Sequence, residues 1–209
     1  MALWAIVPVK PLRKAKSRLA GVLTKDERAD LGERLLVHTL STLQQVPGIA
    51  CTLVVSRDSR VLSLAREMGA RTVTERGSPH LNRALVRATV VAKGYGVSAV
   101  LVLPADLPLI ASKDIEKLMA KATRPPVVVI APDHKGKGTN ALLSSPPGLI
   151  EYDFGDNSFA RHVAAAKQAG ARVEVCKLPG LGLDLDDPID LKKLRRKRPE
   201  ALKVVRTKS

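Results

Sequence analysis

The first candidate for chemistry is a basic segment that follows the opening apolar run of the chain. Five Lys or Arg fall within nine residues that contain no acid: Lys10, Arg13, Lys14, Lys16 and Arg18. Such a segment can bind a polyphosphate and offset the charge that shifts onto a leaving pyrophosphate. The alternative is a solvated charged loop. Its place directly after a predicted strand favours the anion site, because ligands of open α/β sheets bind where the strands end.

Aspartates follow two other predicted strands. Asp106 lies between two prolines, which fix the direction of its carboxylate. The next predicted helix begins only near Ser112, so helix capping explains Asp106 poorly and a metal or ligand role is favoured. In the segment 183–188, an extended backbone would point Asp184 and Asp186 to the same side. Two carboxylates on one side form a hard-oxygen site suited to Mg²⁺ or Mn²⁺.

Two polar segments could hold a small substrate that carries a phosphate or a carboxylate. Segment 133–140 supplies glycines and Thr139, and segment 154–159 supplies Gly155 and Ser158 at the start of a predicted helix. Glycines permit close approach of the backbone, and the first amides of a helix favour an anion. Either segment could instead be an ordinary turn and cap. The two histidines in this region are interpreted as surface or structural residues rather than general bases: His134 and His162.

Apolar runs and helical patterns alternate along the chain. The predicted strands are rich in Val, Ile or Leu without period-two alternation, which is typical of strands covered on both faces: Leu3–Val9, Cys51–Ser56, Arg71–Thr74, Ala99–Leu103, Val127–Ala131 and Val173–Leu178. The predicted helices are a capped helix from Thr24 to about Gln45, then Ser59–Met68, Leu81–Lys93, Ser112–Lys121, Ser158–Ala169 and a last helix with Asp187 as N-cap and Pro188 as first residue. This alternation predicts a single-domain α/β fold with a mostly parallel sheet flanked by helices.

The composition is that of a soluble globular protein. The 209 residues are 45% hydrophobic and 26% charged. No apolar run approaches the roughly 20 residues of a membrane helix, and positive charge follows the first apolar run rather than preceding it, unlike a secretory signal. We therefore expect a cytoplasmic protein with no membrane partner. Cys51 and Cys176 lie far apart in apolar runs and are expected to be core thiols.

The net charge of +15 is concentrated late in the chain, where nine Lys or Arg and one Glu fall between Leu191 and Ser209. This pattern predicts a domain over residues 1–191 followed by a basic tail over 192–209, and removal of residues 195–209 is expected to leave turnover largely intact. An RNA-binding protein is the alternative from another class. Nucleic acid is disfavoured as a partner because aromatic residues make up only 2% of the chain, too few for a base-stacking platform.

Several familiar motifs are missing from the sequence. It contains neither G-x-x-x-x-G-K-[ST] nor G-x-G-x-x-G after a strand, and neither G-x-S-x-G nor a zinc-spaced set of ligands. A P-loop kinase and a typical dinucleotide dehydrogenase are therefore disfavoured. The remaining combination of a basic segment and converging aspartates favours metal-assisted chemistry on a nucleoside triphosphate.

Seven short motifs occur in order from about Ala5 to Leu191. They are Val7-Pro8-Val9-Lys10, Ala15-Lys16-Ser17-Arg18-Leu19, Leu81-Asn82-x-Ala84-Leu85, Leu103-Pro104-Ala105-Asp106-Leu107-Pro108, Gly138-Thr139-Asn140-Ala141-Leu142, Gly155-x-x-Ser158-Phe159-x-x-His162 and Asp184-x-Asp186-x-Pro188-x-Asp190-Leu191. Each is modest alone, but the ordered set is specific. In this order they resemble the phosphoenolpyruvate or 2-phospho-L-lactate guanylyltransferases of coenzyme F-420 biosynthesis.

The resemblance implies a Rossmann-like nucleotidyltransferase fold of the glycosyltransferase A type. It also implies an enzyme that transfers GMP from GTP to the phosphate of the acid and releases pyrophosphate. It implies that Mg²⁺, or Mn²⁺, binds to three carboxylates: Asp106, Asp184 and Asp186. The positions that match acid-binding residues are Thr139, Gly155 and Ser158. The expected nucleotide-binding residues are Pro8, Lys10, Lys14, Lys16, Arg18 and Asn82. The expected catalytic residues are Lys10, Lys16, Arg18 and Asp106. One departure is His80, because similar sequences usually carry a glycine before the Leu-Asn pair.

Related enzymes form the closest alternatives. A nucleotidyltransferase that makes a nucleotide sugar or molybdenum guanine dinucleotide would share the metal aspartates but would show a glycine-rich first loop instead of Pro8-Val9-Lys10. A glycosyltransferase would release a nucleoside diphosphate instead of pyrophosphate. Among the acids, phosphoenolpyruvate is favoured over 2-phospho-L-lactate, and 3-phosphoglycerate is a third candidate. The sequence leaves the choice between a monomer and a homodimer open.

Overall fold

The computed structural model describes residues 2–197, apart from the side chains of residues 195 and 197. The strands are β1 Leu3–Pro8, β2 Ile49–Ser56, β3 Arg71–Thr74, β4 Ala99–Val102, β5 Val127–Pro132, β6 Thr139–Ser145 and β7 Arg172–Val175. The helices are α1 Lys25–Gln44, α2 Ser59–Glu67, α3 Leu81–Gly94, α4 Ser112–Ala120, α5 Ser158–Gln168, α6 Pro179–Gly182 and α7 Pro188–Lys197. Two short 3-10 turns, Leu12–Lys14 and Ser17–Leu19, lie in the basic segment.

The seven strands form one sheet in the order β3-β2-β1-β4-β6-β5-β7. Strand β6 is antiparallel to both of its neighbours, and the other pairs are parallel. The predicted single-domain α/β fold with a mostly parallel sheet is therefore confirmed. The chain runs outward from β1 through β2 to β3 and then returns to the other side of β1 with β4, so the order reverses between β1 and β4. Ligands of open sheets bind beside such a reversal, outside the carboxyl ends of the strands.

Helices cover both faces of the sheet, as the strand sequences predicted. In β1, Leu3, Ala5 and Val7 pack in the layer that contains residues of α1, α2 and α4. Trp4 and Ile6 pack in the opposite layer, with α3 and α5. Because side chains alternate along a strand, burial of both sets removes the polar face that a half-exposed strand would show. Each fully buried Leu or Ile contributes about 1.5–3 kcal/mol relative to its exposed state.

Strand β6 was not predicted from the sequence. The interpretation of segment 133–140 as one polar loop is wrong at Thr139 and Asn140, which begin β6 and are buried. The sequence did not predict this strand because polar residues lie at both of its ends, where other residues accept or donate their hydrogen bonds. Asn140 Nδ2, for example, donates to the Leu181 carbonyl at 2.8 Å. Since β6 is antiparallel, its first residues lie at the same edge as the carboxyl ends of β4 and β5.

The other predicted elements match the structure within a few residues. The capping box of α1 is confirmed, because Glu27 N donates to Thr24 Oγ1 at 3.2 Å and Thr24 N donates to Glu27 Oε2 at 2.7 Å. The predicted run from Val173 to Leu178 is too long: β7 ends at Val175, and the short helix α6 follows. Cys176 is buried as expected, whereas Cys51 is only partly buried against the core.

A small leucine cluster joins four parts of the chain. It contains residues from the basic segment, from α1, from the Asp184–Asp186 segment and from α7: Leu19, Leu31, Leu35, Leu185, Leu191 and Leu194. Helix α7 continues across the predicted boundary at residue 191, and Leu194 is fully buried. The rest of the predicted basic tail, residues 198–209, lies outside the described residues. Within residues 2–197, no helix has both the length and the apolar character needed to cross a membrane.

Candidate active site

A cleft of about 650 Å³ opens at the carboxyl edge of the sheet, beside the reversal between β1 and β4. Its volume lies within the range of roughly 300–1,000 Å³ that is usual for ligand pockets. Two groups of residues line or support it. We call Asp106, Asp184, Asp186 and Lys16 the carboxylate side, and Thr139, Gly155, Ser158 and His162 the hydroxyl side. The cleft thus joins segments that are far apart in the chain.

The carboxylate side is assembled by a backbone hydrogen bond between two predicted motifs. Leu185 N donates to the Asp106 carbonyl at 3.0 Å, and the Leu185 side chain is fully buried in the leucine cluster. Because neighbouring side chains of an extended segment point to opposite sides, Asp184 and Asp186 both face the cleft. All three carboxylates line it. The expectation that Asp184 and Asp186 share one side is confirmed.

The ammonium of Lys16 lies among these carboxylates. Its Nζ is 3.0 Å from Asp106 Oδ2 and 3.0 Å from Asp186 Oδ1, and only 7% of the side chain is exposed. Burial alone would lower the pKa of Lys16, but the charges of Asp106 and Asp186 outweigh it and raise that pKa above its ordinary value. Lys16 also has a left-handed backbone, with a φ of 53°. It is therefore a fixed internal cation and not a mobile surface lysine.

Asp184 carries an excess of negative charge around it. Burial, followed by the charge of Asp106, raises the pKa of the Asp184 carboxyl, and Asp186 and Asp190 add to this effect. Within residues 2–197 no group of three or more His, Cys, Asp or Glu residues is already placed around a common metal position. Asp106 and Asp186 are instead bridged by the Lys16 ammonium. The crowding at Asp184 is the kind that an added cation relieves.

Asp190 holds the carboxylate segment in place from the first turn of α7. Its Oδ2 accepts from Asp186 N at 3.3 Å and from Asp187 N at 3.2 Å, and Asp190 is nearly fully buried. In return, Asp187 Oδ1 accepts from Ile189 N at 2.8 Å and from Asp190 N at 2.9 Å. The predicted N-cap role of Asp187 is thereby confirmed. From the sequence, Asp190 is only one position of a motif, and no role was predicted for it.

The basic segment divides into two parts. Arg18 lines the cleft, as does Pro8 at the end of β1, and Lys16 lies at the carboxylate side. Lys10 and Lys14 are exposed and lie outside the described lining of the cleft. Arg13 pairs with Asp26 at 3.0 Å in an exposed position. The roles of Lys10 and Lys14 in binding a nucleotide therefore stay predictions, which would require contacts that this structure does not contain.

The hydroxyl side is neutral, and its three side chains, Thr139, Ser158 and His162, are buried. Thr139 N donates to Ser158 Oγ at 3.0 Å, and Thr139 Oγ1 lies 3.0 Å from Nδ1 of His162. His162 has no exposed surface, and burial lowers its pKa to about 4. Gly155 has a φ of 139°, which a residue with a side chain rarely adopts. The interpretation of His162 as a structural residue agrees with its burial.

The amide of Asn82 joins α3 to the loop that carries Gly155. Asn82 Nδ2 donates to the Phe154 carbonyl at 3.3 Å, and Phe154 N donates to Asn82 Oδ1 at 2.9 Å. Both ends of the amide are thus engaged, and its contact with guanosine stays a prediction. The neighbouring His80 has an extended backbone and caps α3, because its Nδ1 accepts from Arg83 N. This capping shows how the chain accommodates a residue other than glycine there.

Two lysines of the β5–β6 loop were missed as candidates. Lys135 and Lys137 line the cleft together with Asp133. The loop is closed by a hydrogen bond of 2.8 Å from Lys137 N to Asp133 Oδ1. A second basic pair next to glycines was visible in the sequence and could have identified them. His134 lies outside the cleft lining of the described chain, where its Nε2 accepts from Lys193 Nζ at 3.0 Å.

Comparison with known proteins decides the family. A sequence model of the family described as "Guanylyl transferase CofC like" matches residues 3–196. The chain belongs to the CofC-like guanylyltransferase family. This membership confirms the predicted enzyme class, a nucleotidyltransferase. A CofC-like relative from Rubrobacter xylanophilus, named phosphoenolpyruvate guanylyltransferase, is 44% identical over 194 residues, which are 93% of this chain and 94% of that protein. A relative of the same name from Conexibacter woesei is 37% identical over 196 residues, 93% of this chain and 88% of that protein.

Solved structures agree on the fold of this CofC-like protein. The crystal structure of a putative nucleotide-diphospho-sugar transferase from Desulfovibrio desulfuricans G20 superimposes with a TM-score of 0.75. The match covers 98% of this chain and 97% of that chain at 16% identity. At this identity the similarity carries the fold alone. The predicted nucleotidyltransferase fold is confirmed.

Proposed function

We propose that this protein transfers GMP from GTP to the phosphate of phosphoenolpyruvate and releases pyrophosphate, as a step of coenzyme F-420 biosynthesis. The observation that carries the proposal is the composition of one cleft. Its carboxylate side combines acids with a buried ammonium, and its hydroxyl side presents neutral hydrogen-bonding groups 33 or more residues away in the chain from Asp106. The first side suits a nucleoside triphosphate, and the second suits a small acid.

The reaction requires one new bond and one broken bond. A phosphate oxygen of the acid attacks the α-phosphorus of GTP in line, and the bond from this phosphorus to the oxygen that bridges to the β-phosphate breaks. Pyrophosphate leaves with that electron pair. Because the nucleophile is already an anion, no general base and no covalent enzyme intermediate are needed. The task of the protein is then to align two anions and to neutralise the charge that moves toward the leaving group.

The basic groups of the cleft would perform that neutralisation. Lys16 is held by its two carboxylates, and Arg18 lines the cleft. Lys135 and Lys137 approach it from the β5–β6 loop. Thr139, Ser158 and the backbone at Gly155 would hold the acid. Since these groups belong to a rigid sheet edge and to the start of α5, they can keep the attacking oxygen aligned.

A divalent metal fits the carboxylate side. The oxygen donors are those that Mg²⁺ prefers, and the crowding that raises the pKa of Asp184 is relieved by added positive charge. Asp106, Asp184 and Asp186 would hold Mg²⁺, or Mn²⁺, which would supply further charge neutralisation for the phosphates. The Lys16 ammonium would share these carboxylates with the metal.

The test is release of pyrophosphate by the purified full chain with GTP and Mg²⁺. Phosphoenolpyruvate, 2-phospho-L-lactate and 3-phosphoglycerate are supplied in turn, and ATP and CTP replace GTP as controls. We expect the highest kcat/KM with GTP and phosphoenolpyruvate. The two closest acids differ only in their carbon skeleton, so apolar contacts would separate them by about 1–3 kcal/mol and some activity on both is expected. Absence of pyrophosphate release with all three acids would overturn the proposal.

A further inference from the structure

The buried His162 uses both of its ring nitrogens. Its Nε2 lies 3.1 Å from the backbone N of Asp153, and its Nδ1 lies 3.0 Å from Oγ1 of Thr139. The ring has no exposed surface and packs edge-on against Phe154, with 4.8 Å between the ring centroids. His162 therefore connects the Asp153 backbone directly to a hydroxyl that lines the cleft.

The two contacts fix the tautomer of the ring. A backbone N–H can only donate, so Nε2 of His162 must accept and carries no proton. Burial keeps the ring neutral at neutral pH, because it lowers the pKa to about 4. A neutral imidazole has one N–H, which must then be at Nδ1. Nδ1 consequently donates to Oγ1 of Thr139.

The Thr139 hydroxyl then has a defined direction. Its oxygen accepts from His162, so its own proton is available to a ligand. Ser158 is in the same situation, because its Oγ accepts from Thr139 N at 3.0 Å. The described part of the chain offers no protein acceptor for either hydroxyl proton, and both residues line the cleft. Two neighbouring hydroxyls are thus left as donors.

We propose that His162 is a positioning residue that makes the Thr139 hydroxyl a fixed donor, so that this side of the cleft favours a hydrogen-bond acceptor, here an anionic oxygen of the acid. The inference rests on the proposed function and assigns the polarity of its acid subsite. A ligand N–H at the same place cannot accept, and it would leave the proton of the Thr139 hydroxyl without an acceptor. His162 does not touch the substrate in this arrangement.

Two conservative substitutions separate the ends of the ring. In His162→Asn, the side-chain amide can replace Nδ1 as donor to Thr139 but does not reach Asp153 N. In His162→Gln, the longer side chain can replace Nε2 as acceptor from Asp153 N without donating to Thr139. We expect His162→Gln to raise KM for phosphoenolpyruvate by roughly 10- to 100-fold. This is the effect of losing a hydrogen bond to a charged group, because the Thr139 hydroxyl is no longer fixed as a donor to the acid. His162→Asn should raise it by less than about threefold, and KM for GTP should change little in both variants.

A double-mutant cycle adds a readout that a purely structural role would not move. Thr139→Val removes the hydroxyl with little change in shape, so His162→Gln should have almost no further effect on KM for the acid in that background. Binding of phosphoenolpyruvate without turnover is followed by the increase in Tm that it causes. Melting curves of all variants show whether each is folded.

The outcomes distinguish this inference from the proposed function. A larger KM effect in His162→Asn than in His162→Gln, equal effects in both, or additive effects with Thr139→Val would each overturn the positioning role. In all three cases the proposed function would still stand, provided that the wild-type protein turns over GTP and phosphoenolpyruvate. If the wild-type protein neither turns over nor binds the acid, the proposed function is wrong, and the proposed acid subsite is wrong as well.

Discussion

The two sides of the cleft solve the problem of ligand binding in different ways. The carboxylate side keeps charges that compensate one another, with Lys16 between Asp106 and Asp186 and an excess of negative charge at Asp184. The hydroxyl side carries no net charge, and its side chains are fixed by hydrogen bonds to one another and to the Asp153 backbone. The carboxylate side can bind added cations, because its negative charge is not fully compensated. On the hydroxyl side the direction of each hydroxyl proton is already set, because each hydroxyl oxygen accepts from a donor of the protein. Substitutions on the two sides should therefore fail in different ways.

The largest effect is expected from neutralising the carboxylate side. Asp106→Asn or Asp186→Asn should lower kcat by about 100- to 1,000-fold, because each removes a charge that holds Lys16 and, in the proposed function, would hold the metal at the phosphates. Pyrophosphate release at saturating GTP, with Mg²⁺ titrated, measures the loss. Asp26→Asn is the control, because this exposed aspartate pairs with the exposed Arg13 and does not line the cleft. Near-normal turnover in both cleft variants and in Asp184→Asn would rule out a shared metal.

The hydroxyl side should be distinguished by the stability that the protein loses at low pH. The folded pKa of His162, about 4, lies below its ordinary value of 6.5. The stability that depends on neutral His162 is thus fully present above about pH 6.5 and is lost as the pH falls toward 4. At about 1.4 kcal/mol per pKa unit, this loss amounts to about 3 kcal/mol. Asp153 and Arg161 are the charged groups that act on this ring.

The measurement is the free energy of unfolding in urea at pH 7.5, 6 and 5. The wild-type protein should lose more stability over this range than His162→Gln, which retains a partner for Asp153 N but cannot be protonated. Parallel curves for the two proteins would contradict the assigned burial of a neutral ring.

A packing substitution tests how the carboxylate side is supported. A Cβ at Gly180 in α6 would overlap the Asp114 carboxylate and approach the Leu109 carbonyl at 2.8 Å. Asp114 accepts from Ala111 N at the start of α4, so the overlap cannot be relieved without loss of this contact. Gly180→Ala should cost about 1–3 kcal/mol of stability and should lower turnover, because α6 leads directly to Asp184. Gly94→Ala, with open space around its Cβ position, should be neutral or slightly stabilising in the same melts.

The smallest effect separates two members of the carboxylate side. Asp184→Asn should leave stability unchanged or raise it by up to about 1 kcal/mol, because it removes a charge that like charges oppose. Asp106→Asn should instead lower stability by about 1–3 kcal/mol, because the buried Lys16 ammonium keeps only one partner. Urea unfolding of the two variants without Mg²⁺ gives the comparison. The same sign in both would show that Lys16 does not balance Asp106.

The fold and the alternation of Asp184 and Asp186 could be predicted because both depend on local periodicity. Runs of Val, Ile and Leu marked six of the seven strands, and the period of an extended chain placed the two aspartates on one side. Strand β6 escaped because its polar ends are satisfied only by distant partners such as the Leu181 carbonyl. The contact of Lys16 with Asp106 and Asp186 also escaped, because it depends on the tertiary approach of three segments. From the sequence, Lys16 could not be distinguished from Lys10 and Lys14. In the structure the Lys16 side chain is buried beside Asp106, whereas Lys10 and Lys14 are exposed.

The hydrogen bond from Leu185 to Asp106 has a consequence for the order in which the protein becomes active. A growing chain that has passed β6 already contains the basic segment, Asp106 and Thr139, but neither Asp184 nor Asp186. The last two carboxylates arrive with the segment whose leucines close the small cluster against Leu19 and α1. Contacts of such large sequence separation form late, because their loop-closure cost must be met first. Completion of the fold and acquisition of catalytic power therefore coincide in one docking event.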